Sequence, residues 1–210
     1  MTDTAAAGRI GVLGGTFDPV HSGHLHIARE LRAALGLERI IWVPAGRPPH
    51  KAGQIVSSDG DRLAMLVLAL QESSADEIST VDIARSGPSY TANMLELLRD
   101  RVAPATLVFL MGEDSLRDFP TWRDPERIAG AAELAVAGRP GVESDVASVT
   151  DAIPALRGRV HLIPMPEVAV SSSEIRERIR EGQSVNGLIP PAVERYIREH
   201  GLYLSGMEAG

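Results

Sequence analysis

Short apolar runs alternate with longer amphipathic segments along most of this chain. The first run, Ile10-Gly11-Val12-Leu13, has the composition of a buried strand. The segment that follows it places Ile27, Leu31, Ala34 and Leu35 at helical spacing. Because parallel strands need crossover connections, which are usually helices, this alternation predicts βαβ units and an α/β fold.

The same patterns assign the remaining elements. The predicted strands span residues 9–13, 39–43, 78–83, 106–111, 133–137 and 160–163. The predicted helices span residues 23–35, 59–71, 90–101, 125–131, 145–156, 172–180 and 191–199. Asp124 and Pro125 supply an N-cap followed by proline at the first helical position. We expect a Rossmann-like open parallel sheet with helices on both faces, in a single domain over 1–210 whose C-terminal portion is helical from about residue 171.

Composition narrows the classes of function. The net charge of −7 argues against a general nucleic-acid-binding protein, which needs a broad basic surface. The chain has no cysteine, which excludes a disulfide framework and fits a reducing compartment. No signal peptide is visible, and the longest apolar runs are too short to span a bilayer. We therefore expect a cytoplasmic protein without nucleic-acid or membrane partners, and a homo-oligomer is compatible with these features.

The strongest candidate for chemistry lies where the first strand meets the first helix. Residues 14–25 read Gly-Gly-Thr-Phe-Asp-Pro-Val-His-Ser-Gly-His-Leu. Gly14 and Gly15 let the backbone approach a phosphate, and the start of the helix offers free N–H groups. His21 and His24 are three apart and share one helical face. Two imidazoles beside a phosphate cradle suit phosphoryl or nucleotidyl transfer. Neither the dinucleotide fingerprint nor a P-loop is present.

This stretch closely resembles the His-x-Gly-His signature of the nucleotidylyltransferase superfamily. Its longer form is similar to bacterial nicotinate mononucleotide adenylyltransferases. The resemblance implies transfer of AMP from ATP to nicotinate mononucleotide, which gives nicotinate adenine dinucleotide and pyrophosphate. It also implies that backbone at Gly14, Gly15, Thr16 and Phe17 lines the ATP site. His21 and His24 would then contact the ATP phosphates and stabilise charge in the transition state.

A second candidate phosphate site lies near the C-terminal end, at residues 170–176. Ser171 and Glu174 form a capping-box pattern, so an ordinary helix start explains part of it. Three consecutive serines and Arg176 beside unpaired N–H groups equally suit an anion site. The resembling family carries Ile-Ser-Ser-Thr-x-Ile-Arg here and uses it to hold the ATP β- and γ-phosphates. That implies ATP contacts from Ser172, Ser173 and Arg176.

Further stretches match the same family in the same order along the chain. On the ATP side, the resemblance implies contacts from Gly112, Asp114 and Ser115. On the mononucleotide side it implies contacts from His50, Lys51, Tyr90, Thr91, Trp122 and Arg139, with Trp122 stacked on the pyridine ring. The segment 188–203 resembles the family's C-terminal helix and its Gly-Leu-Tyr end. Taken singly, these residues also suit structural roles, such as a core aromatic for Tyr90, a helix cap for Asp114 and a loop charge for Arg139.

The implied reaction is governed by charge. The attacking phosphate oxygen is already an anion, so no general base is needed, and positioning with fixed positive charge supplies the catalysis. His21, His24, Lys51 and Arg176 are the candidate catalytic residues. Mg²⁺ is expected to bind through ATP oxygens, without an all-protein metal site. The alternatives are another acceptor such as nicotinamide mononucleotide, CTP in place of ATP, or a nucleotide sensor without catalysis.

Overall fold

A single parallel sheet organises the part of the chain that the computed structural model describes, residues 8–47, 57–138, 146–166 and 168–204. Its strand order is β3-β2-β1-β4-β5-β6. The strands are β1 (Arg9–Gly15), β2 (Arg39–Pro44), β3 (Glu77–Ile78), β4 (Thr106–Gly112), β5 (Glu133–Gly138) and β6 (Val160–Pro164). The predicted open parallel sheet is confirmed.

Helices cover both faces of this sheet. They are α1 (Ser22–Leu35), α2 (Asp59–Ala69), α3 (Thr91–Val102), α4 (Glu113–Asp118), α5 (Pro125–Ala131), α6 (Val146–Ala152), α7 (Ser172–Arg180) and α8 (Pro191–Glu199). One buried cluster joins the sheet to α3, α5 and α6, through Leu95, Ile128 and Val149. A second joins it to α1, α2, α7 and α8. Strands buried on both faces need near-continuous apolar sequence, which explains the apolar runs.

The predicted strand 78–83 is wrong beyond its first residue. Ser79 still donates its N–H to the Trp42 carbonyl at 2.9 Å, but the chain then turns, with Ala84 N–H donating to the Thr80 carbonyl at 2.9 Å. The Asp82 carboxylate accepts the Gly46 N–H at 3.1 Å and so ties this turn to the segment after β2. A polar side chain with a backbone partner elsewhere thus ends the strand, although its neighbours have strand composition.

The predicted helix 145–156 is also wrong as a single element. Residue 145 lies outside the described residues, and α6 ends at Ala152. A separate 3₁₀ turn, Pro154–Leu156, follows. Proline disfavours a helical conformation at the residue before it, and Ile153 has φ −131° and ψ 83°. The short helix α4 was not among the predicted helices.

The strand order creates a crevice at one edge of the sheet. The chain runs outward from β1 to β2 and β3, and in the opposite direction from β4 to β5 and β6. The connections that leave the carboxyl ends of the neighbouring strands β1 and β4 therefore lead to opposite sides of the sheet. Open α/β sheets bind ligands at such a switch point. The glycine-histidine stretch follows β1 directly, so the fold places it there.

Candidate active site

Two adjoining cavities open at the carboxyl ends of β1 and β4. The larger, of about 360 Å³, is called the histidine cavity here because both histidines and the start of α7 line it. The other, of about 280 Å³, is called the Tyr90 cavity and is lined by Tyr90, Thr91 and Arg123. Both cavities are bordered by Gly14, Gly15, Thr16, Phe109, Ser115 and Trp122. A molecule in one cavity therefore meets a molecule in the other across the end of β1.

His21 and His24 lie together, as their spacing predicted. Their rings stack with centroids 3.7 Å apart and planes 26° apart. His21 is the N-cap of α1, and its backbone N–H donates to His24 Nδ1 at 3.3 Å. Because Nδ1 accepts this hydrogen bond, a neutral His24 carries its proton on Nε2. The second ring nitrogen of His24 is therefore a hydrogen-bond donor, which suits a phosphate oxygen.

The loop between β1 and α1 is held in an unusual backbone conformation. Phe17 is fully buried and has φ 50°, in the left-handed region that most residues avoid. A Cβ on Gly15 would lie 2.8 Å from Cε1 of the Phe17 ring. Gly15 therefore has a packing reason to be glycine, besides any approach to a phosphate. The side chain of Phe17 lies in the core, so only its backbone remains for the predicted ATP contact.

Three carbonyl groups of this loop accept hydrogen bonds from distant side chains. Arg62, which is fully buried on α2, donates Nη1 to the Thr16 carbonyl at 2.7 Å. Arg176 donates Nη1 to the Asp18 carbonyl at 2.7 Å, and Ser172 Oγ donates to the Pro19 carbonyl at 2.9 Å. The loop between β1 and α1, residues 16–21, is called the histidine loop below. These hydrogen bonds connect it to the start of α7. The two stretches that the sequence suggested separately as phosphate sites line a single cavity.

The start of α7 fits both interpretations left open by the sequence. Ser171 is an ordinary N-cap, because its Oγ accepts the Glu174 N–H at 3.1 Å. The Glu174 carboxylate pairs with Arg178 at 2.9 Å. Ser172 and Ser173 nevertheless line the larger cavity, where Arg176 Nη2 donates to Ser173 Oγ at 3.3 Å. The positive end of α7 therefore faces the same space as the histidines.

Aromatic side chains form the wall between the two cavities. Trp122 packs on Phe119, with ring centroids 5.4 Å apart, and edge-on to Phe109 at 6.1 Å. The tryptophan is only half-buried, so part of its ring faces the cavities. Tyr90 is the N-cap of α3, and the Arg123 guanidinium lies 6.0 Å from the centre of its ring. This wall is suited to a flat heterocycle that carries charge.

Comparison with known proteins agrees with this geometry. The cytidylyltransferase-like family model matches residues 12–178. A protein of Thermomicrobium roseum named probable nicotinate-nucleotide adenylyltransferase is 50% identical over 195 residues, which are 93% of this chain and 91% of that protein. One of Roseiflexus with the same name is 43% identical over 92% of this chain and 97% of its own length. The chain belongs to the nicotinate-nucleotide adenylyltransferase family.

Solved structures with low sequence identity share the adenylyltransferase fold. A Plasmodium falciparum nicotinic acid mononucleotide adenylyltransferase complexed with NaAD superimposes with a TM-score of 0.75 at 22% identity, over 93% of this chain and 97% of the other. The same enzyme complexed with APC gives a TM-score of 0.73 at 21% identity, with the same coverage. In the described part of this chain, no helix is both long and apolar enough to cross a membrane.

Some residues that the adenylyltransferase resemblance implied lie elsewhere or outside the described residues. Asp114 is exposed, pairs with Arg117 at 3.0 Å and lines a third cavity of about 260 Å³. Gly112 and Ser115 line both that cavity and the histidine cavity. His50, Lys51 and Arg139 lie outside the described residues. The segment that leads to His50 and Lys51 is anchored beside the Tyr90 cavity, where Arg47 N–H donates to Ser89 Oγ at 2.7 Å.

Four residues at or behind the site were not predicted from the sequence. Arg123 and Asp82 line the Tyr90 cavity, and Arg62 supports the loop from below. The fourth is Tyr203, whose Oη donates to Asp18 Oδ1 at 2.7 Å. Burial raises the pKa of the Tyr203 phenol far above its usual value, with a further rise from the Asp18 carboxylate, so the hydroxyl keeps its proton. The one signal for Tyr203 in the sequence was the resemblance to the family's Gly-Leu-Tyr end, and that resemblance assigned the tyrosine no role.

Proposed function

We propose that the two cavities bind ATP and nicotinate mononucleotide, and that the protein transfers AMP from the first to the second. The observation that carries this proposal is the shared border at Gly14–Thr16 between a cavity lined by both histidines and Arg176 and one lined by Tyr90. The histidines, Arg176 and the start of α7 suit a triphosphate, while Trp122 and Tyr90 suit a pyridine ring. The names of the bacterial relatives agree with this assignment.

The reaction needs no proton to be removed. A phosphate oxygen of the mononucleotide attacks the α-phosphorus of ATP and forms a new P–O bond. The bond from that phosphorus to the bridging oxygen of the β-phosphate breaks, and its electron pair leaves with pyrophosphate. His24 Nε2–H, His21 and Arg176 would stabilise the charge that builds on these oxygens. The serines at the start of α7 would hold the β- and γ-phosphates.

Mg²⁺ would enter this site as an ion that ATP brings with it. The described residues contain no group of three His, Asp or Glu side chains placed to hold a metal ion. We therefore propose that its ligands are phosphate oxygens and water, which magnesium commonly keeps. When bound, the ion neutralises charge on the phosphates.

Localisation in the reducing cytoplasm, which the lack of cysteine fits, is part of the same proposal.

Selection of the acid over the amide would fall to the start of α3. Thr91 is the first residue of α3 and lines the Tyr90 cavity. Free N–H groups and the positive helix end favour a carboxylate at this point. Arg123 at the same wall adds positive charge.

The deciding experiment measures pyrophosphate release with ATP and Mg²⁺ and each of three acceptors: nicotinate mononucleotide, nicotinamide mononucleotide and phosphopantetheine. We expect rapid release with the nicotinate compound and far slower release with the others. CTP in place of ATP tests the base. Release with another acceptor alone would overturn the assignment of Tyr90, Thr91 and Trp122. No pyrophosphate release with any of the three acceptors, in folded protein that binds ATP, would favour a nucleotide sensor.

A further inference from the structure

Asp18 is a junction between three parts of the chain. Its side chain is 1% exposed and accepts a hydrogen bond from the hydroxyl of Tyr203, which lies beyond α8. Its backbone carbonyl accepts a hydrogen bond from Arg176 on α7. Three residues further on, His21 begins the turn that carries both histidines. A shift of Asp18 would therefore move the histidines and Arg176 relative to each other.

Tyr203 holds its position at some cost to the backbone. Its φ is 66°, in the region that favours glycine, and it is 8% exposed. Its hydroxyl reaches both Asp18 Oδ1 at 2.7 Å and Met65 Sδ at 3.8 Å, so it is held between the loop and α2. Asp18 lines the histidine cavity, whereas Tyr203 lines none of the three cavities described above. The hydrogen bond from Tyr203 to a residue that lines the histidine cavity is therefore the one to Asp18.

We propose that Tyr203 is a positioning residue for AMP transfer, which fixes Asp18 and thereby the relative placement of the two histidines and Arg176. The proposal rests on the proposed function, since it assigns these groups to the ATP phosphates. Removal of the hydroxyl leaves the Asp18 carboxylate short of one donor in a buried place, and the loop shifts to find another. Reacting groups displaced by about 1 Å can lose about a hundredfold in rate.

Tyr196 offers a matched control on the same C-terminal part of the chain. Its hydroxyl donates to Asp61 Oδ1 at 3.0 Å, so it also joins a tyrosine to an aspartate of another element. That contact links α8 to α2 and includes neither Asp18 nor either histidine. Tyr203→Phe and Tyr196→Phe therefore remove the same chemical group, but only the first touches the junction at Asp18.

The experiment compares the two variants with wild type below their unfolding temperatures, by steady-state kinetics and by calorimetric binding of each substrate alone. For Tyr203→Phe we expect a tenfold to hundredfold lower kcat and about tenfold weaker ATP binding, with mononucleotide binding unchanged. Tyr196→Phe should match wild type in all three. A kcat of Tyr203→Phe within about twofold of wild type, or equal weakening of both substrates, would overturn the proposal.

A double-mutant cycle tests whether Tyr203 acts through Asp18. The losses in kcat for Tyr203→Phe and Asp18→Asn should not add, because both act on one junction. Losses that add would contradict the mechanism, and Asp18→Asn alone still tests the junction if Tyr203→Phe does not fold. Wild type that binds ATP but releases no pyrophosphate would defeat the proposed function. The effect on ATP binding would then still decide the role of Tyr203.

Discussion

The backbone N–H of His21 determines which ring nitrogen of His24 carries the proton. The His21 N–H occupies Nδ1, which leaves a neutral His24 with a donor at Nε2. The spacing of three residues was enough to predict that the rings share a face. The tautomer could not be predicted, because it depends on the extended conformation of His21, with φ −144° and ψ 171°.

Replacement of His24 by alanine should remove the Nε2–H donor from the histidine cavity. We expect kcat for pyrophosphate release to fall about 100- to 1,000-fold, because the donor acts on charge that develops in the transition state. Urea unfolding should show that the variant remains folded. His200→Ala, at the exposed end of α8, is the control and should keep wild-type kcat. An unchanged kcat in His24→Ala would exclude this role.

Replacement of Trp122 by alanine should act mainly on the mononucleotide. Loss of the stacking surface should raise its KM about tenfold. The rise in KM for ATP should be smaller, although the indole borders both cavities. Steady-state kinetics with each substrate varied in turn measures both values. Equal increases would mean that Trp122 serves only to pack on Phe109 and Phe119.

Sequence predicted the local part of the site and missed the part made by distant contacts. Gly15, His21 and His24 lie within one strand-to-helix junction, so their arrangement follows from neighbouring residues. Arg62 looks like any helical arginine until its partner, the Thr16 carbonyl 46 positions earlier, is known. Tyr203 and Asp18 are 185 positions apart. Such contacts depend on the tertiary fold, which residue spacing does not encode.

At the scale of elements, the strands with long apolar runs were predicted well and the short one was not. Five strands pair along most of their length, whereas β3 pairs through only two residues, Glu77 and Ile78. Its predicted continuation had strand composition but competed with a turn held by Asp82. Pairing with a neighbour decides such a case, and composition cannot.

The amino-terminal edge of the sheet carries a charged cluster of its own. Glu133 on β5 accepts a hydrogen bond from Arg9 on β1 at 2.5 Å and pairs with His161 on β6 at 2.8 Å. Burial acts to raise the pKa of Glu133, but these two partners outweigh it and hold the pKa below its ordinary value of 4.5. The cluster therefore joins three strands at the edge opposite the active site.

Glu133→Gln should destabilise the protein in a pH-dependent way. A carboxyl with a lowered pKa in the folded state stabilises above its ordinary pKa, and this contribution is lost as the pH falls through the folded-state value. We expect a loss of about 1 kcal/mol at pH 7 that shrinks below pH 4.5. Urea unfolding across pH 3–7 measures it, with the exposed Glu72→Gln as control. A difference that stays constant with pH would contradict this assignment.

At the scale of the whole molecule, the histidine cavity is built from both ends of the described chain. Its walls come from the loop after β1, the end of β4 and the start of α7. A ligand that spans these walls binds the folded state and not the unfolded one. The whole fold is therefore expected to respond to ATP, and not merely the loops that touch it.

ATP with Mg²⁺ should raise the free energy of unfolding. The expected increase is about 2.7 kcal/mol when free ATP is one hundred times its Kd. Urea unfolding monitored with and without ATP measures this shift. Arg176→Ala at the same ATP concentration should show a smaller increase, because it would lack the phosphate contact proposed for Arg176. Equal shifts in both proteins would place ATP away from α7.

The bond between Asp18 and Tyr203 also has a consequence for biosynthesis. Asp18 is translated before its hydroxyl partner Tyr203, which follows 185 residues later. A nascent chain thus displays both histidines long before the group that fixes Asp18 exists. Nascent chains that carry both histidines but not yet Tyr203 should therefore turn over ATP at least about tenfold more slowly than protein in which Tyr203 has docked.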